Sequence, residues 1–330
     1  MKLSLEQIRS VTRGAVRVEE TEGAVHFYRF TKAQEEMYRQ RDAMLHMKTF
    51  ATAGVILEFD TDSRNLGLSV LAVRGSMRTY CVHSILVNGQ RIGQLVGERR
   101  EDQETIFLEG RFALGEGSKR VKIVMPWTMG SAIRALELDE DATLTPVRKT
   151  RRILNFGDSI TQGYDARYPE NSYAARLTQW LDAENINKAI GGEVYCPELA
   201  DLPEDFIPDL ITVAYGTNDW SKTTKADFEA NSRAFIQNLR KHYPDTKIII
   251  LAPVWRGDLH RETSVGNFDH VSRHLAGLAR ETENAVWIDC FSFIPHDPAY
   301  YQNDRLHPND AGFACYAQRL TETLAALGIC

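Results

Sequence analysis

The first 145 residues contain short apolar segments with partly alternating hydrophobic and polar positions, separated by turn residues. Such segments, rich in β-branched and aromatic residues, predict β-strands: GAVHFYRF, FATAGVILEFDTD, LGLSVLAVRG, TYCVHSILVNGQRIGQLV, ETIFLEGRFAL and SKRVKIVMPW. Asn88-Gly89 predicts a type I′ hairpin turn, which requires positive φ at both positions. Strands without intervening helices predict an all-β sandwich of jelly-roll-like type. Residues 33–48 predict one helix within this half.

A different pattern follows the segment LTPVRKTRR, residues 144–152, whose proline and four basic residues predict an exposed linker. The segments RRILNFG, DLITVAYG, TKIIILAPV and AVWIDC are nearly continuous apolar runs, which is typical of strands buried on both faces. We therefore predict two domains, an accessory β-sandwich over 1–147 and an α/β domain over 148–330.

Helical periodicity appears between these apolar runs. Thr224 and Asp227 resemble a capping box at the start of one helix. Apolar residues at helical spacing mark the faces of three helices: Phe228, Phe235, Ile236 and Leu239; Phe268, Val271, Leu275 and Leu278; Phe313, Leu320, Leu324 and Leu327. Strands that alternate with helices predict right-handed βαβ units and a parallel sheet covered on both faces.

Ligands of such sheets bind beyond the carboxyl ends of the strands. Small or reactive residues directly follow the apolar runs RRILNF, INKAI, DLITVAY and IIILAPV: Gly157, Asp158 and Ser159; Gly191 and Gly192; Gly216, Thr217, Asn218 and Asp219; Trp255 and Arg256. Asp304 and His307 lie just before the last helix. The sequence therefore predicts that these segments meet at one rim of the sheet.

The residues at this rim suit nucleophilic catalysis. A serine hydroxyl needs a base to remove its proton, and a histidine such as His307 is the usual side chain in that role. Asp304, three residues before His307, can hold the imidazole through Nδ1. Ser159, His307 and Asp304 thus form a candidate catalytic triad.

Acyl transfer also requires hydrogen-bond donors for the developing oxyanion. We predict three donors: the backbone N–H of Ser159, the backbone N–H of Gly192, and the side-chain amide of Asn218. Gly191 remains an alternative to Gly192. Asp219 is expected to fix its loop rather than to contact substrate.

Composition narrows the range of partners. The 330 residues have a net charge of −6, which argues against binding to nucleic acid or to an anionic membrane surface. The N-terminal stretch MKLSLEQIRSVTRG has no apolar core typical of a signal peptide, and no apolar run approaches the length of a membrane span. Five scattered cysteines, at 81, 196, 290, 315 and 330, favour reduced thiols and a cytoplasmic location.

Four blocks of the second half resemble those of the SGNH (GDSL-type) hydrolases. FGDSITQG resembles the first block with its nucleophile at Ser159, KAIGGE the glycine block at Gly192, YGTND the Gly-x-Asn-Asp block at Asn218, and DRLHPN the last block with Asp304 and His307. The resemblance covers about residues 151–327. It implies a flavodoxin-like three-layer α/β/α domain and a serine esterase mechanism without metal or organic cofactor.

A sandwich that precedes such a domain is similar to the arrangement in several bacterial carbohydrate esterases that remove acetyl groups. By this resemblance we expect hydrolysis of a small acyl ester, with acetyl on a sugar or oligosaccharide as the expected substrate. An acyltransferase with the same acyl-enzyme chemistry and a non-catalytic glycan-binding protein are the alternatives. The oligomeric state is left open, with a homo-oligomer as one option.

Further residues near the predicted strand ends are candidates for substrate contact: Asp158, Tyr164, Trp220, Trp255 and Arg256. Aromatic rings there suit stacking on a sugar, although packing between loops is the alternative. His270 and His274 have the spacing of a zinc helix, but no glutamate follows His270 and no third ligand is evident, which favours a solvated helix face. The apolar and proline-rich neighbourhood of His296 and Asp297 favours a loop there over a second catalytic pair.

Overall fold

The structure, a computed structural model, describes residues 1–329. These residues form two compact units. The first unit contains Met1–Thr31, Asp42–Thr150 and the short segment Tyr168–Glu170, and the second contains Lys32–Arg41, Arg151–Arg167 and the residues from Asn171 onward. The main change of unit, at Thr150, is close to the predicted boundary at residue 147.

Two antiparallel sheets form the first unit. One sheet has the order β1-β4-β9-β6-β7, with β11 also paired to β4, and the other has the order β2-β3-β10-β5-β8. The strands of the first sheet are β1 (Thr12–Arg13), β4 (Ile56–Thr61), β6 (Tyr80–Val87), β7 (Gln90–Glu98), β9 (Lys119–Val124) and β11 (Thr145–Pro146). Those of the second are β2 (Arg17–Thr21), β3 (Ala24–Tyr28), β5 (Asn65–Arg74), β8 (Thr105–Ala113) and β10 (Met129–Leu138). Helices α1 (Leu5–Val11) and α3 (Ala43–Thr49) accompany them.

The core of this unit lies between its two sheets. Along β5, Leu66, Leu68 and Val70 are buried and alternate with more exposed neighbours, as a strand with one buried face requires. They share one hydrophobic cluster with Leu57 and Phe59 of the other sheet. This shared core confirms the predicted β-sandwich.

The predicted hairpin turn between β6 and β7 is present at Asn88-Gly89. Asn88 has φ of 50° and Gly89 has φ of 83°, and Val87 pairs with Gln90 directly across the turn. Both central residues therefore have the positive φ that a type I′ turn needs.

A five-stranded parallel sheet forms the centre of the second unit. Its order is β13-β12-β14-β15-β16, the 2-1-3-4-5 order of flavodoxin-like folds. The strands are β12 (Arg151–Gly157), β13 (Ala183–Asn187), β14 (Leu210–Ala214), β15 (Lys247–Leu251) and β16 (Ala285–Ile288). Buried Asn155 of β12 donates to Asn185 of β13 and accepts from Thr212 of β14, which ties three strands together inside the sheet.

Helices cover both faces of this sheet. Ile153 of β12 packs in one cluster with α5 and α10, whereas Phe156 of the same strand packs edge-on against Phe235 of α8. The helices of this unit are α2 (Lys32–Arg41), α4 (Ser159–Gln162), α5 (Tyr173–Trp180), α6 (Pro197–Ala200), α7 (Thr217–Lys222), α8 (Lys225–His242), α9 (Phe268–Glu281) and α10 (Asp310–Ala326). Two 3-10 turns, Pro169–Asn171 and Pro298–Tyr300, complete the elements. The predicted three-layer α/β/α arrangement is thus confirmed.

The single helix predicted over 33–48 is two helices, and they belong to different units. Asp42 is extended, with φ of −162°, and its side chain caps α3 by accepting a hydrogen bond from Leu45 N. Helix α2, expected in the sandwich domain, instead belongs to the second unit. Its Gln34 bonds to the buried pair of Lys188 and Glu204.

Within residues 1–329, no helix combines the length and apolar character needed to cross a membrane. Cys81, Cys196, Cys290 and Cys315 have free thiols in the structure, and the first three are buried. Cys330 lies outside the described residues.

The burial of Tyr38 in the middle of α2 gives a test of how this helix packs. Tyr38→Ala should lower the free energy of unfolding by roughly 3–5 kcal/mol, because the fully buried ring would leave a cavity. Gln40→Ala, on an exposed position of the same helix, should change it by less than about 0.5 kcal/mol. Urea denaturation followed by circular dichroism measures both, and equal effects would contradict the packing of α2.

Candidate active site

Ser159 follows β12, an interior strand of the parallel sheet, on a tight turn into a short helix. The Asp158 side chain caps that helix by accepting a hydrogen bond from Ile160 N at 2.9 Å. Gly157 approaches the helix so closely that a Cβ there would lie 2.6 Å from Thr161 Cβ. Gly163, with φ of 102°, ends the helix after one turn. The turn therefore holds the hydroxyl of Ser159 at the carboxyl end of the strand.

His307 and Asp304 lie on the loop before α10 and complete a hydrogen-bonded row with Ser159. His307 Nε2 is 2.8 Å from Ser159 Oγ, and His307 Nδ1 is 2.6 Å from Asp304 Oδ2. The carboxylate favours a proton on Nδ1, which leaves Nε2 to accept a hydrogen bond from the serine hydroxyl. This geometry is that of a nucleophile, a base and an orienting acid.

The environment of Asp304 keeps its carboxyl group ionised. Partial burial alone would raise its pKa, but hydrogen bonds from the His307 ring and from the backbone N–H groups of His307 and Leu306 outweigh burial. The net effect is a pKa well below the usual range. The loop is closed by Gln302, whose N–H donates to the carbonyl of His307 at 2.8 Å.

Tyr164 and Asp165 border the imidazole of His307. The rings of Tyr164 and His307 stack with centroids 5.6 Å apart and planes at 29°. Asp165 Oδ2 is 3.8 Å from His307 Nδ1, and the side chain of Asp165 is 9 % exposed. Gln302 Nε2 donates to the Asp165 carbonyl at 3.0 Å. These contacts restrict the orientation of the His307 ring.

The two glycines after β13 differ in hydrogen bonding. The Gly191 N–H donates to Gln162 Oε1 at 2.7 Å, so it is already engaged. Gly192 has φ of 88°, and its N–H, like that of Ser159, has no hydrogen-bond partner within residues 1–329. Of the two glycines, Gly192 is therefore the better candidate for an oxyanion donor.

Asn218 lies in the first turn of α7. Its Nδ2 donates one hydrogen to the carbonyl of Glu193 at 3.1 Å, which leaves the second hydrogen of the amide for another acceptor. The neighbouring Asp219 accepts from Tyr195 N and from Gly216 N, each at 3.0 Å. Asp219 thus fixes two loops, which is the role expected for it.

Burial raises the pKa of two carboxyl groups beside the site. It raises the pKa of Asp158 to about 6 and that of Asp219 to about 7, because removal from water disfavours the charged form. The backbone N–H groups that bond to each carboxylate oppose this effect only in part.

Two of the residues predicted to contact substrate, Trp220 and Arg256, are buried among loops. Trp220 is fully buried, and its Nε1 donates to the carbonyl of Gly266 at 2.7 Å. Arg256 is also buried, where it forms two bonds with Asp258 and donates to both oxygens of Thr217. Both side chains hold loops together, and substrate contact by them stays a prediction.

The other candidates occupy different environments. Asp158 is buried as the helix cap, which leaves it a structural role. Trp255 is half-buried and stacks on His296, with ring centroids 5.4 Å apart and planes at 15°. Tyr164 is buried against His307. Substrate contact by Trp255 and Tyr164 stays a prediction.

His270 and His274 of α9 both have hydrogen-bond partners on the neighbouring helix α8. His270 Nε2 is 2.9 Å from Glu229 Oε1, and His274 Nε2 is 2.8 Å from Ser232 Oγ. Asp297 caps the short turn Pro298–Tyr300 by accepting from Ala299 N.

Metal binding would compete with the hydrogen-bonded row. Within residues 1–329, one group of three side chains has the spacing to hold a metal ion: Asp165, Asp304 and His307. The Nδ1 atom of His307 that would face such an ion is already bonded to Asp304. The expectation of a mechanism without metal or organic cofactor stays a prediction.

One family model matches the second half of the chain. The model of the GDSL-like lipase/acylhydrolase family matches residues 156–315, a range that includes Ser159, Asp304 and His307. The chain carries a GDSL-like lipase/acylhydrolase domain. Curated protein sequences give no match.

Solved structures share the fold of this chain over nearly its whole length. A salicylyl-acyltransferase from a tetracycline biosynthetic pathway has a TM-score of 0.82 and 22 % identity over 96 % of this chain and 94 % of that one. A putative GDSL-like lipase from Bacteroides ovatus has a TM-score of 0.75 and 19 % identity over 99 % and 97 %. A family two carbohydrate esterase from Cellvibrio japonicus has a TM-score of 0.68 and 17 % identity over 99 % and 97 %.

Sequence reasoning did not find several residues that shape the site of this GDSL-like domain. Gln162 engages Gly191, Asp165 borders His307, and Glu193 accepts from Asn218. Gln162 and Asp165 lie within the block that contains Ser159, so proximity in sequence was an available signal. Glu193 directly follows Gly192, but nothing in the sequence connects it with its partner Arg41, which is 152 positions away.

Gly157 offers a steric test of the turn. Gly157→Ala should destabilise the protein by about 1–3 kcal/mol and displace Ser159, because the new Cβ would overlap Thr161. Gly277→Ala in α9 is the matched control: its nearest neighbour would be 3.9 Å away, and alanine favours helix, so stability should rise by up to about 1 kcal/mol. Thermal unfolding compares the two variants with the parent.

The low pKa of Asp304 predicts an acid dependence of stability. A pKa that folding lowers from 3.8 stabilises the protein above pH 3.8, and this contribution disappears as pH falls through the folded-state pKa. Asp304→Asn should therefore lower the unfolding midpoint at pH 7 and flatten its decline below about pH 4. Asp205→Asn, at an exposed carboxylate, should leave the decline unchanged. A decline equally steep in Asp304→Asn would contradict the assignment.

Proposed function

We propose that this protein is a serine esterase that hydrolyses a small acyl ester, and that the substrate is an acetyl ester of a carbohydrate. The observation that carries the proposal is the row Ser159–His307–Asp304, with donor–acceptor distances of 2.8 Å and 2.6 Å. The family match, which spans all three residues, supports an acyl hydrolase.

In the first step, the Ser159 hydroxyl attacks the ester carbonyl carbon while His307 Nε2 takes its proton. The imidazolium that forms donates its Nδ1–H to the ionised Asp304. The carbonyl oxygen becomes negative in the tetrahedral intermediate. His307 then gives the proton to the departing alcohol, and the acyl group remains on Ser159.

In the second step, a water molecule gives its proton to His307 Nε2 and attacks the acyl-enzyme carbonyl. Collapse of this second intermediate releases the carboxylic acid and returns the proton to Ser159. The Asp304 side chain is 41 % exposed and that of His307 is 13 % exposed, so the row is accessible to water.

The oxyanion would be held by the backbone N–H groups of Ser159 and Gly192 and by the amide of Asn218. Support comes from the two backbone N–H groups, which have no partner within residues 1–329, and from the second hydrogen of the Asn218 amide. Such donors act only when charge develops on the carbonyl oxygen, so each contributes to the rate rather than to binding of the ester.

The carbohydrate part of the proposal is supported by fold likeness. A family two carbohydrate esterase from Clostridium thermocellum in complex with cellohexaose has a TM-score of 0.66 and 18 % identity over 84 % of this chain and 94 % of that one. We further propose a jelly-roll-like topology for the sandwich, supported by the strand orders β3-β10-β5-β8 and β4-β9-β6-β7. A cytoplasmic location and a homo-oligomeric state stay predictions.

An acyltransferase is the second candidate, favoured by the fold likeness to the salicylyl-acyltransferase. In that reaction an alcohol replaces water in the second step. Product analysis after incubation with p-nitrophenyl acetate and a panel of sugars separates the two reactions: free acetate supports the hydrolase, and acetylated sugar supports the transferase.

Ser159→Ala should reduce cleavage of p-nitrophenyl acetate to the uncatalysed level, because it removes the nucleophile. Asn218→Ala should retain cleavage but lower kcat by about 10²–10³-fold with little change in KM. Release of p-nitrophenolate measures both, and labelling by a fluorophosphonate probe reports the nucleophile independently. Full activity in Ser159→Ala would exclude Ser159 as the nucleophile. A parent protein that neither cleaves the ester nor takes the label would favour a non-catalytic glycan-binding protein.

A further inference from the structure

Helix α2 brings an arginine to the glycine segment that follows β13. Arg41 Nη1 is 2.8 Å from Glu193 Oε2, and Arg41 Nη2 is 3.0 Å from Glu193 Oε1, so the two groups form a two-point ion pair. The side chain of Glu193 is 1 % exposed, whereas that of Arg41 is 32 % exposed. A carboxylate buried to this degree needs a partner, because an unpaired charge away from water is costly.

Glu193 is connected to the candidate oxyanion donors on both sides. It directly follows Gly192, and its carbonyl accepts one hydrogen of the Asn218 amide at 3.1 Å. Its own N–H donates to the carbonyl of Ile190 at 3.1 Å, and its Oε1 accepts from Val194 N at 2.9 Å. A displacement of Glu193 would therefore move the Gly192 peptide and turn the Asn218 amide.

We propose that Arg41 is a positioning residue for the oxyanion site, acting through Glu193, an inference that rests on the proposed esterase function. Arg41 acts through the two-point geometry of this ion pair, which holds the backbone from Gly192 to Val194 in place. Without it, the Gly192 N–H and the Asn218 amide would lose the alignment that stabilises the tetrahedral intermediate.

Arg41→Gln should lower kcat for p-nitrophenyl acetate by roughly 10- to 100-fold with KM unchanged, because misplaced donors lose their effect mainly in the transition state. The rate of fluorophosphonate labelling should fall by a similar factor. Arg39→Gln is the matched control on the same helix: Arg39 is exposed and pairs with Glu36 one turn away, so its kcat should equal that of the parent.

The double variant Arg41→Gln/Glu193→Gln separates charge from position. A kcat as low as in Arg41→Gln would mean that the lost two-point geometry causes the defect, which supports the proposal. Recovery of most of the lost kcat would mean that only the uncompensated charge of Glu193 causes it, which would overturn the positioning role. Should Arg41→Gln fail to fold by circular dichroism, Arg41→Lys decides, since it keeps the charge but loses the two-point geometry. A folded Arg41→Lys with reduced kcat and unchanged KM supports the proposal.

Parent-like kcat in a folded Arg41→Gln, or in Arg41→Lys where the former does not fold, would overturn this inference while leaving the esterase function intact. A change confined to KM would overturn it as well. A parent protein without esterase activity or labelling would overturn the proposed function itself, so the two failures are distinguishable.

Discussion

The hydrogen bond between Ser159 Oγ and His307 Nε2 joins two positions that are 148 residues apart in sequence. It exists because β12 is an interior strand of the parallel sheet, so that the turn after it and the loop before α10 reach the same edge. Every other feature of the site depends on the contact between this turn and this loop. In the proposed reaction, Asp304 acts only through His307, and the candidate oxyanion donors matter only where Ser159 attacks.

Buried carboxylates hold the loops around Ser159 and His307 in place. Asp158 accepts from the helix that begins at Ser159, Asp219 ties the loops of Tyr195 and Gly216 together, and Glu193 supports the glycine segment. Each carboxylate replaces water with backbone N–H groups, which fixes the loops more firmly than exposed side chains would. The energetic cost of burying these carboxylates appears in the raised pKa of Asp158 and Asp219.

The sequence analysis was most successful where the determining interactions are local. Asn88-Gly89 specifies its own turn, the apolar runs specify buried strands, and the Asp304-x-x-His307 spacing brings a carboxylate to an imidazole within one loop. It was least successful where interactions are long-range. Nothing near Trp220 or Arg256 in the sequence indicates that both side chains are enclosed by other loops, and the periodicity over 33–48 does not reveal that Asp42 divides it into two helices in different units.

The position of α2 in the chain has an evolutionary consequence. Its residues, Lys32–Arg41, lie between two strands of the sandwich in chain order but belong to the GDSL-like unit. A gene fragment that starts at the linker would encode the parallel sheet without the arginine that pairs with Glu193. Recombination at the linker would therefore preserve the ion pair of Arg41 with Glu193 only if the incoming N-terminal sequence supplied an equivalent helix.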